Sequence, residues 1–227
     1  MCYGLADMWQ EYEVGQQQDS HEFMKKIMDH VHKKCLLSEN NTLRSIFFGT
    51  VTGTVERSFC KYQSVNKELY SDIGVSIDKI QTVEQAIDQH FSTEEIQYTC
   101  PLCKKKRIAK KSTTIDTIPK NVIVHLKRFS GSVRKITKKV DIPLELHFRK
   151  FVSPGKTVED KAKLSALIAH YGRVASSGHY YSFIQFGGNW FRIDDMKITK
   201  VTEQSIKNAS DQAYLLFYRT LPHPYIS

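Results

Sequence analysis

Residues 176–195 read SSGHYYSFIQFGGNWFRIDD, two alternating aromatic runs around a Gly-Gly pair. Consecutive glycines supply the positive backbone angles that a two-residue hairpin turn requires, so this stretch predicts an antiparallel β-pair. With Gly187 and Gly188 at the centre of the turn, Phe186 faces Asn189, His179 lies opposite Met196, and Asp194 lies opposite Tyr181. A four-residue loop over 185–188 would instead set Asp194 directly opposite His179. Both registers put Asp194, and not Asp195, on the face of His179; an odd-length loop would reverse that choice. Directly opposed Cβ atoms lie about 4.5–5.5 Å apart. A carboxylate at that range fixes an imidazole's tautomer and leaves the other ring nitrogen to act as a base. The competing reading is a structural histidine beside a surface acidic pair, and on the hairpin alone that reading is the commoner one.

The rest of the chain alternates between two periodicities. Phe23, Met24, Ile27, Met28, Val31 and Cys35 recur at helical spacing, predicting a helix over 19–34 with Asp19 as cap. A β-rich pattern over 46–77 follows, with Gly49 and Gly53 as bends, and then a short helix over 83–91, where Thr82 and Gln85 form a capping box. Further strands are expected over 121–129, 140–148, 164–170 and 213–219, and a helix over 203–208. Strands dominate with helices at the front and between them, an α+β layout.

The 227 residues suffice for one large domain, and no apolar run approaches a membrane span or a signal peptide, which predicts an intracellular protein of cytoplasm or nucleus. Five cysteines, an odd number spread along the chain, point to free thiols or a metal site in place of a disulfide framework. The net charge of +9 is concentrated in runs such as KKKR at 104–107. Such runs attract acidic partners or RNA, but no RNP-like aromatic motif or helix-turn-helix pattern accompanies them, so nucleic acid is not the expected partner.

Several motifs together resemble the ubiquitin-specific protease family of papain-like thiol deubiquitinases. QQDSHEF at 17–23 is similar to the family's QQDAxEF box, and IPKNVIVHLKRF at 118–129 resembles its LPxxLxxxLKRF strand. KVDIPLEL at 139–146 resembles the segment that follows. From Leu164 onward, the order LSALIAHYGRVASSGHYYSF, NWFRIDD and AYLLFYR resembles the histidine box through to the terminal strand. The resemblance implies a papain-like palm with β-fingers, the thumb largely missing: a partial catalytic domain over 1–220, fingers near 46–117 and a tail at 221–227. It implies His179 as general base, Asp194 as its orienting partner and Asp195 as a secondary polar group. It also places Gln18, Asp19, Gly178 and Tyr180 beside the tail of a ubiquitin or ubiquitinated substrate, where Asp19 could pair with an arginine. The segment GRVASSG at 172–178 is similar to the mobile loop before the histidine, and Gly178 would let a substrate backbone approach closely.

Two departures qualify the resemblance. The family's nucleophile sits in a GNTCYMNS-like box well upstream of QQD. Only sixteen residues precede Gln17, and Cys2-Tyr3 echoes that box without its flanking Asn residues. The expected activity is that of a deubiquitinase represented by its base-bearing part, and the alternative is a ubiquitin-binding protein without a nucleophile. The second departure concerns zinc, which many family members hold on two CxxC pairs. Here Cys100 and Cys103 form one pair, while Arg57 stands where Cys60's partner would be. A guanidinium cannot ligate zinc, so no cofactor is required and the expected fingers hold no tightly bound zinc; the alternative is a structural zinc on Cys60, Cys100 and Cys103 completed by another residue, His90 being the nearest in sequence. Without an N-terminal lobe, the apolar face of the first helix is expected to be exposed and to promote association.

Overall fold

The Gly187-Gly188 turn closes a two-residue hairpin. Gly187 and Gly188 have φ of 55° and 76°, and Asn189 pairs with Phe186. The register follows the first of the two expected alignments through Ile193 opposite Ser182. The four-residue loop is not formed, because the two glycines meet both positive-φ requirements of the tighter turn.

The computed structural model describes residues 9, 15–38, 41–57, 63–129, 135–174 and 177–221. Two helices come first, α1 (Ser20–Ser38) and α2 (Asn41–Phe47), followed by β1 (Gly49–Glu56), β2 (Ser64–Tyr70) and β3 (Ile73–Ser76). Then come α3 (Val83–His90), β4 (Glu94–Thr99), β5 (Lys106–Thr117), β6 (Asn121–Lys127) and β7 (Glu145–His147). The last third holds β8 (Lys161–Val174), β9 (Ser177–Phe186), β10 (Asn189–Asp194), β11 (Lys197–Val201), α4 (Glu203–Asn208) and β12 (Ala213–Thr220).

The strands form two sheets. One has the order β2-β1-β5-β4; the other runs β11-β10-β9-β8-β12-β6-β3, with β7 also paired to β8. All pairings are antiparallel except β3 with β6. The span 46–117 therefore contributes to both sheets, since β3 joins the larger one. Asp116 ties the smaller sheet to the segment after β7 at the end of β5, accepting hydrogen bonds from the hydroxyls of Thr52 at 2.5 Å and Ser153 at 2.6 Å.

The β6-β12-β8 part of the larger sheet is covered on both faces. Val75, Val124, Leu126, Leu167, Leu216 and Tyr218 lie in one core with Val83, Ala86 and Ile87 of α3. The expected capping box starts α3: the Gln85 amide donates to Thr82 Oγ1, and Gln85 Oε1 accepts in return. On the other face, Met24 and Met28 of α1 pack against Ile123, Tyr214 and Leu215. These two methionines are buried, so at their positions the expected exposed helix face is covered by the sheet itself. The strand expected over 140–148 shrinks to β7. Pro143 has no N–H for a ladder, and Asp141 bridges singly to Thr82. No helix among the described residues is long and apolar enough to cross a membrane.

Candidate active site

His179 opens the inner part of β9 and Asp194 closes β10. Their side chains meet, His179 Nε2 to Asp194 Oδ1, at 2.5 Å. Because the contact uses Nε2, Nδ1 is the nitrogen left to take a proton. The second carboxylate oxygen of Asp194 accepts from Arg192 at 2.7 Å. Arg192 in turn lies over the Tyr181 ring at 4.5 Å, and the Tyr181 hydroxyl donates to Gln212 at 2.7 Å. Arg192 is thus a positioning residue that motif reading passed over. Two-residue spacing on β10 was its only sequence signal. Asp195 sits in the turn after β10 at φ 50°, and its carboxylate falls within 4.8 Å of the ligand atoms of His179 and Asp194.

The Asp194 hydrogen bond raises the pKa of His179 above that of a free imidazole, against slight desolvation, while the Arg192 charge works in the opposite direction. The same hydrogen bond holds Asp194 below the ordinary carboxylate range. A raised histidine favours the folded state while it is protonated. That contribution is full below about pH 6.5, the free value, and is lost as pH rises through the folded value. The two neighbours should therefore move His179 in opposite directions. Asp194→Asn is expected to lower its midpoint and Arg192→Gln to raise it, read from the pH dependence of the His179 ring resonances. Shifts in the same direction would contradict this electrostatic assignment.

The substrate residues implied by the family resemblance form a second group across the strand. His179 with Tyr181 and Arg192 lines one cleft, of about 500 Å³. Tyr180 and Gln18 line another, of about 530 Å³, with Trp9, Phe23 and Asp195. Asp19 is the N-cap of α1, its Oδ1 accepting from the amides of His21 at 2.8 Å and Glu22 at 3.0 Å. Its Oδ2 accepts from the hydroxyls of Tyr214 at 2.9 Å and Tyr180 at 3.3 Å. An arginine arriving at Asp19 would therefore compete with two tyrosines.

Gly178 joins the two groups. Its amide donates to Gln17 Oε1 at 2.9 Å, a contact that motif reading left unassigned. A Cβ at Gly178 would lie 2.1 Å from His170 Nε2. The glycine therefore makes room for the buried His170 ring, beyond any role in admitting substrate. Burial holds His170 below the ordinary histidine pKa, helped by the Lys135 charge, and Lys135 donates its ammonium to the His170 carbonyl.

Of the three cysteines expected near zinc, Cys100 and Cys103 lie in the turn between β4 and β5, in the smaller sheet, and Cys60 lies outside the described residues. So does Cys2, while Cys35 is on α1. No described cysteine joins the His179 group.

The family model of ubiquitin carboxyl-terminal hydrolase matches residues 5–218. The chain belongs to that family. Ubiquitin carboxyl-terminal hydrolase 17 of Homo sapiens is 33% identical over 219 residues, covering 90% of this chain and 41% of the relative. The 17-like protein B of Mus musculus is 30% identical, with 89% and 46% covered. The chain thus spans less than half the length of these relatives. The solved SAGA Ubp8/Sgf11/Sus1/Sgf73 DUB module bound to ubiquitin aldehyde contains a chain with the same fold. The TM-score is 0.80 at 24% identity, over 96% of this chain and 52% of that one. The α+β architecture is therefore that of a ubiquitin-specific protease catalytic domain.

Proposed function

We propose that this chain is the base-bearing part of a thiol-dependent ubiquitinyl hydrolase. The observation that carries the reading is the Asp194-held imidazole of His179, with Nδ1 left for a thiol. In the reaction, a cysteine thiol passes its proton to His179 Nδ1 and the thiolate attacks the carbonyl carbon of ubiquitin's last glycine. Collapse of the tetrahedral oxyanion breaks the amide bond, and the leaving amine takes the proton back from the imidazolium. Water, deprotonated by the same imidazole, then hydrolyses the thioester and releases ubiquitin. Asp194 stabilises the imidazolium in both halves. Gln18, Asp19, Gly178 and Tyr180 would flank ubiquitin's tail, and Asp195 would be a secondary polar group beside the base. The cysteine would come from a GNTCYMNS-like box, which these 227 residues do not contain.

Two measurements test the reading. Titration of isotope-labelled ubiquitin with the chain is expected to perturb the resonances of its C-terminal tail. No perturbation at about 1 mM, a weak-binding limit near 4 kcal/mol, would overturn the proposal. Fused behind the cysteine-bearing segment of the human relative, the chain is expected to cleave a C-terminal ubiquitin amide, and His179→Ala to abolish cleavage. Binding without cleavage in a folded fusion would identify a ubiquitin-binding protein that lacks catalysis.

A further inference from the structure

Charge on the smaller sheet is balanced along β5 and left unbalanced at one end. Lys111 pairs with Glu94 of β4 at 3.1 Å. Lys110 stands between Glu95 on β4 and Glu56 on β1. Nearer the β4–β5 turn the cross-strand partners are no longer acidic: Arg107 faces Tyr98 and Lys106 faces Thr99. Lys104 and Lys105 follow in the turn itself. Lys104, Lys105 and Lys106 are exposed, and among the described residues their ammonium groups form no ion pair. Residues 58–62, which follow β1 and Arg57 in the chain, include one lysine and no aspartate or glutamate, so they supply no counter-charge.

The turn holds these charges in a fixed frame. The amides of Leu102 and Cys103 donate to Cys100 Sγ at 3.3 and 3.2 Å. The Lys104 amide donates to the Cys100 carbonyl at 2.9 Å, and the Cys100 amide to the Lys105 carbonyl at 3.1 Å. Lys104 sits at φ 56°, a region that glycine enters without the strain a lysine meets. Apolar surface accompanies the cations: Leu102 is 67% exposed and Ile108 57%. Side chains alternate along a strand, so Lys106, Ile108 and Lys110 share one face of β5. Ile108 faces Gln97 there and lines a cleft of about 640 Å³ with Arg107, Lys110 and Glu95. From the turn inward, that face therefore presents free cations, then an exposed apolar side chain, then a neutralised lysine.

We propose that the tip of the four-stranded sheet docks a short acidic protein segment, its carboxylates on Lys104, Lys105 and Lys106 and an apolar side chain against Ile108. Charge complementarity sets the class of partner, and the extent of the free charge sets its length. Four residues separate the Lys106 and Lys110 rungs, about 13 Å along the strand. A longer polyanion would run onto Glu94 and Glu95. Single-stranded nucleic acid is disfavoured further, because its bases need open aromatic faces. Tyr98 is half-buried, with the Arg57 guanidinium over its ring at 5.0 Å. A flat lipid surface could meet the turn but not fill the cleft beside Ile108. The docking surface lies on the smaller sheet, whereas His179 and Asp194 lie on the larger one, so it stands independently of the proposed hydrolase reading.

The test is fluorescence anisotropy of the full chain with a short labelled peptide of glutamates around one central leucine. Binding is expected at low salt and should weaken as salt is raised, because exposed charges are screened within about 8 Å at physiological ionic strength. Combined Lys104→Glu, Lys105→Glu and Lys106→Glu should weaken it at least about tenfold. The same charge change at the exposed Lys161, Lys163 and Lys207 should leave it nearly unchanged. Ile108→Ser should weaken binding of this peptide but not of one with serine in place of leucine. Should the glutamate variant not fold, glutamine at the same three positions carries the test, with a smaller loss in the same direction. No binding at about 1 mM peptide, or equal weakening by the two lysine sets, would overturn the proposal. So would tighter binding of a single-stranded RNA of equal charge or of phosphatidylserine vesicles.

Discussion

Replacing Arg128 with methionine is expected to bring the chain to the edge of folding. Arg128 is fully buried, and its four side-chain hydrogen bonds all end on backbone carbonyls. Nε donates to Ala213 at 2.5 Å, Nη1 to Ile136 at 2.8 Å and Lys138 at 3.0 Å, and Nη2 to Ser210 at 2.6 Å. One guanidinium thus fastens the 136–138 segment to the turn before β12. Burial brings its pKa down to about 10, with the Asp211 charge opposing, so it remains charged at neutral pH. Methionine fills much of the volume but satisfies none of these acceptors. Each buried carbonyl left without a donor costs about 1–3 kcal/mol. Some will find water or shift, and the net loss is expected to be about 5 kcal/mol, comparable to the whole stability of a modest domain. Lysine should be nearly as damaging, because one ammonium cannot span four carbonyls in a planar fork. Urea unfolding followed by circular dichroism checks this. A loss under about 1 kcal/mol for Arg128→Met would show that the carbonyls are satisfied without the guanidinium.

Arg128 also shows where sequence reasoning stops. Local chemistry was legible: Gly187-Gly188 specified its turn and hence the side-chain parity that pairs His179 with Asp194, and Thr82 with Gln85 specified the start of α3. Such features depend on residues a few positions apart, whose geometry follows from backbone angles alone. The contacts of Arg128 depend on where segments some 80 residues away come to rest, and no periodicity encodes that. The strand expected over 140–148 failed for a local reason that the pattern concealed. Its apolar residues alternate, but Pro143 removes a donor, and the side chains of Val140 and Ile142 are buried without a regular ladder. Asp19 was legible as a helix cap. Its occupation by Tyr180 and Tyr214 was not, because both tyrosines arrive from strands at the other end of the sequence.

Gly178→Ala tests whether the base is positioned by packing behind it. β8 and β9 pair through His170 opposite Tyr180 and Tyr171 opposite His179, and the register shifts between Tyr171 and Val174. That irregularity folds the Gly178 backbone onto the His170 ring, which also packs against Tyr180 at 4.7 Å and Phe129 at 5.6 Å. A methyl group at Gly178 would lie 2.1 Å from His170 Nε2 and 2.7 Å from the Tyr171 carbonyl. The ring has little room to retreat, because it is itself buried and held between Phe129 and Tyr180, and the carbonyl is part of β8. The strand must therefore move, taking His179 with it and stretching the Gly178 contact with Gln17. Overpacking of this kind costs about 1–3 kcal/mol, and with two rigid neighbours the expected loss is about 3 kcal/mol. The matched control is Gly53→Ala on β1, where a Cβ would meet only the Asn66 carbonyl at 3.8 Å; removing chain entropy there should leave stability unchanged or slightly raised. The decisive readout is the His179 ring. In a folded Gly178→Ala chain its midpoint should fall towards that of a free imidazole as the Asp194 contact loosens, whereas Gly53→Ala should leave it unmoved. An unchanged His179 midpoint together with unchanged stability would mean that the β9 backbone has room to spare and that His170 does not set the position of the base.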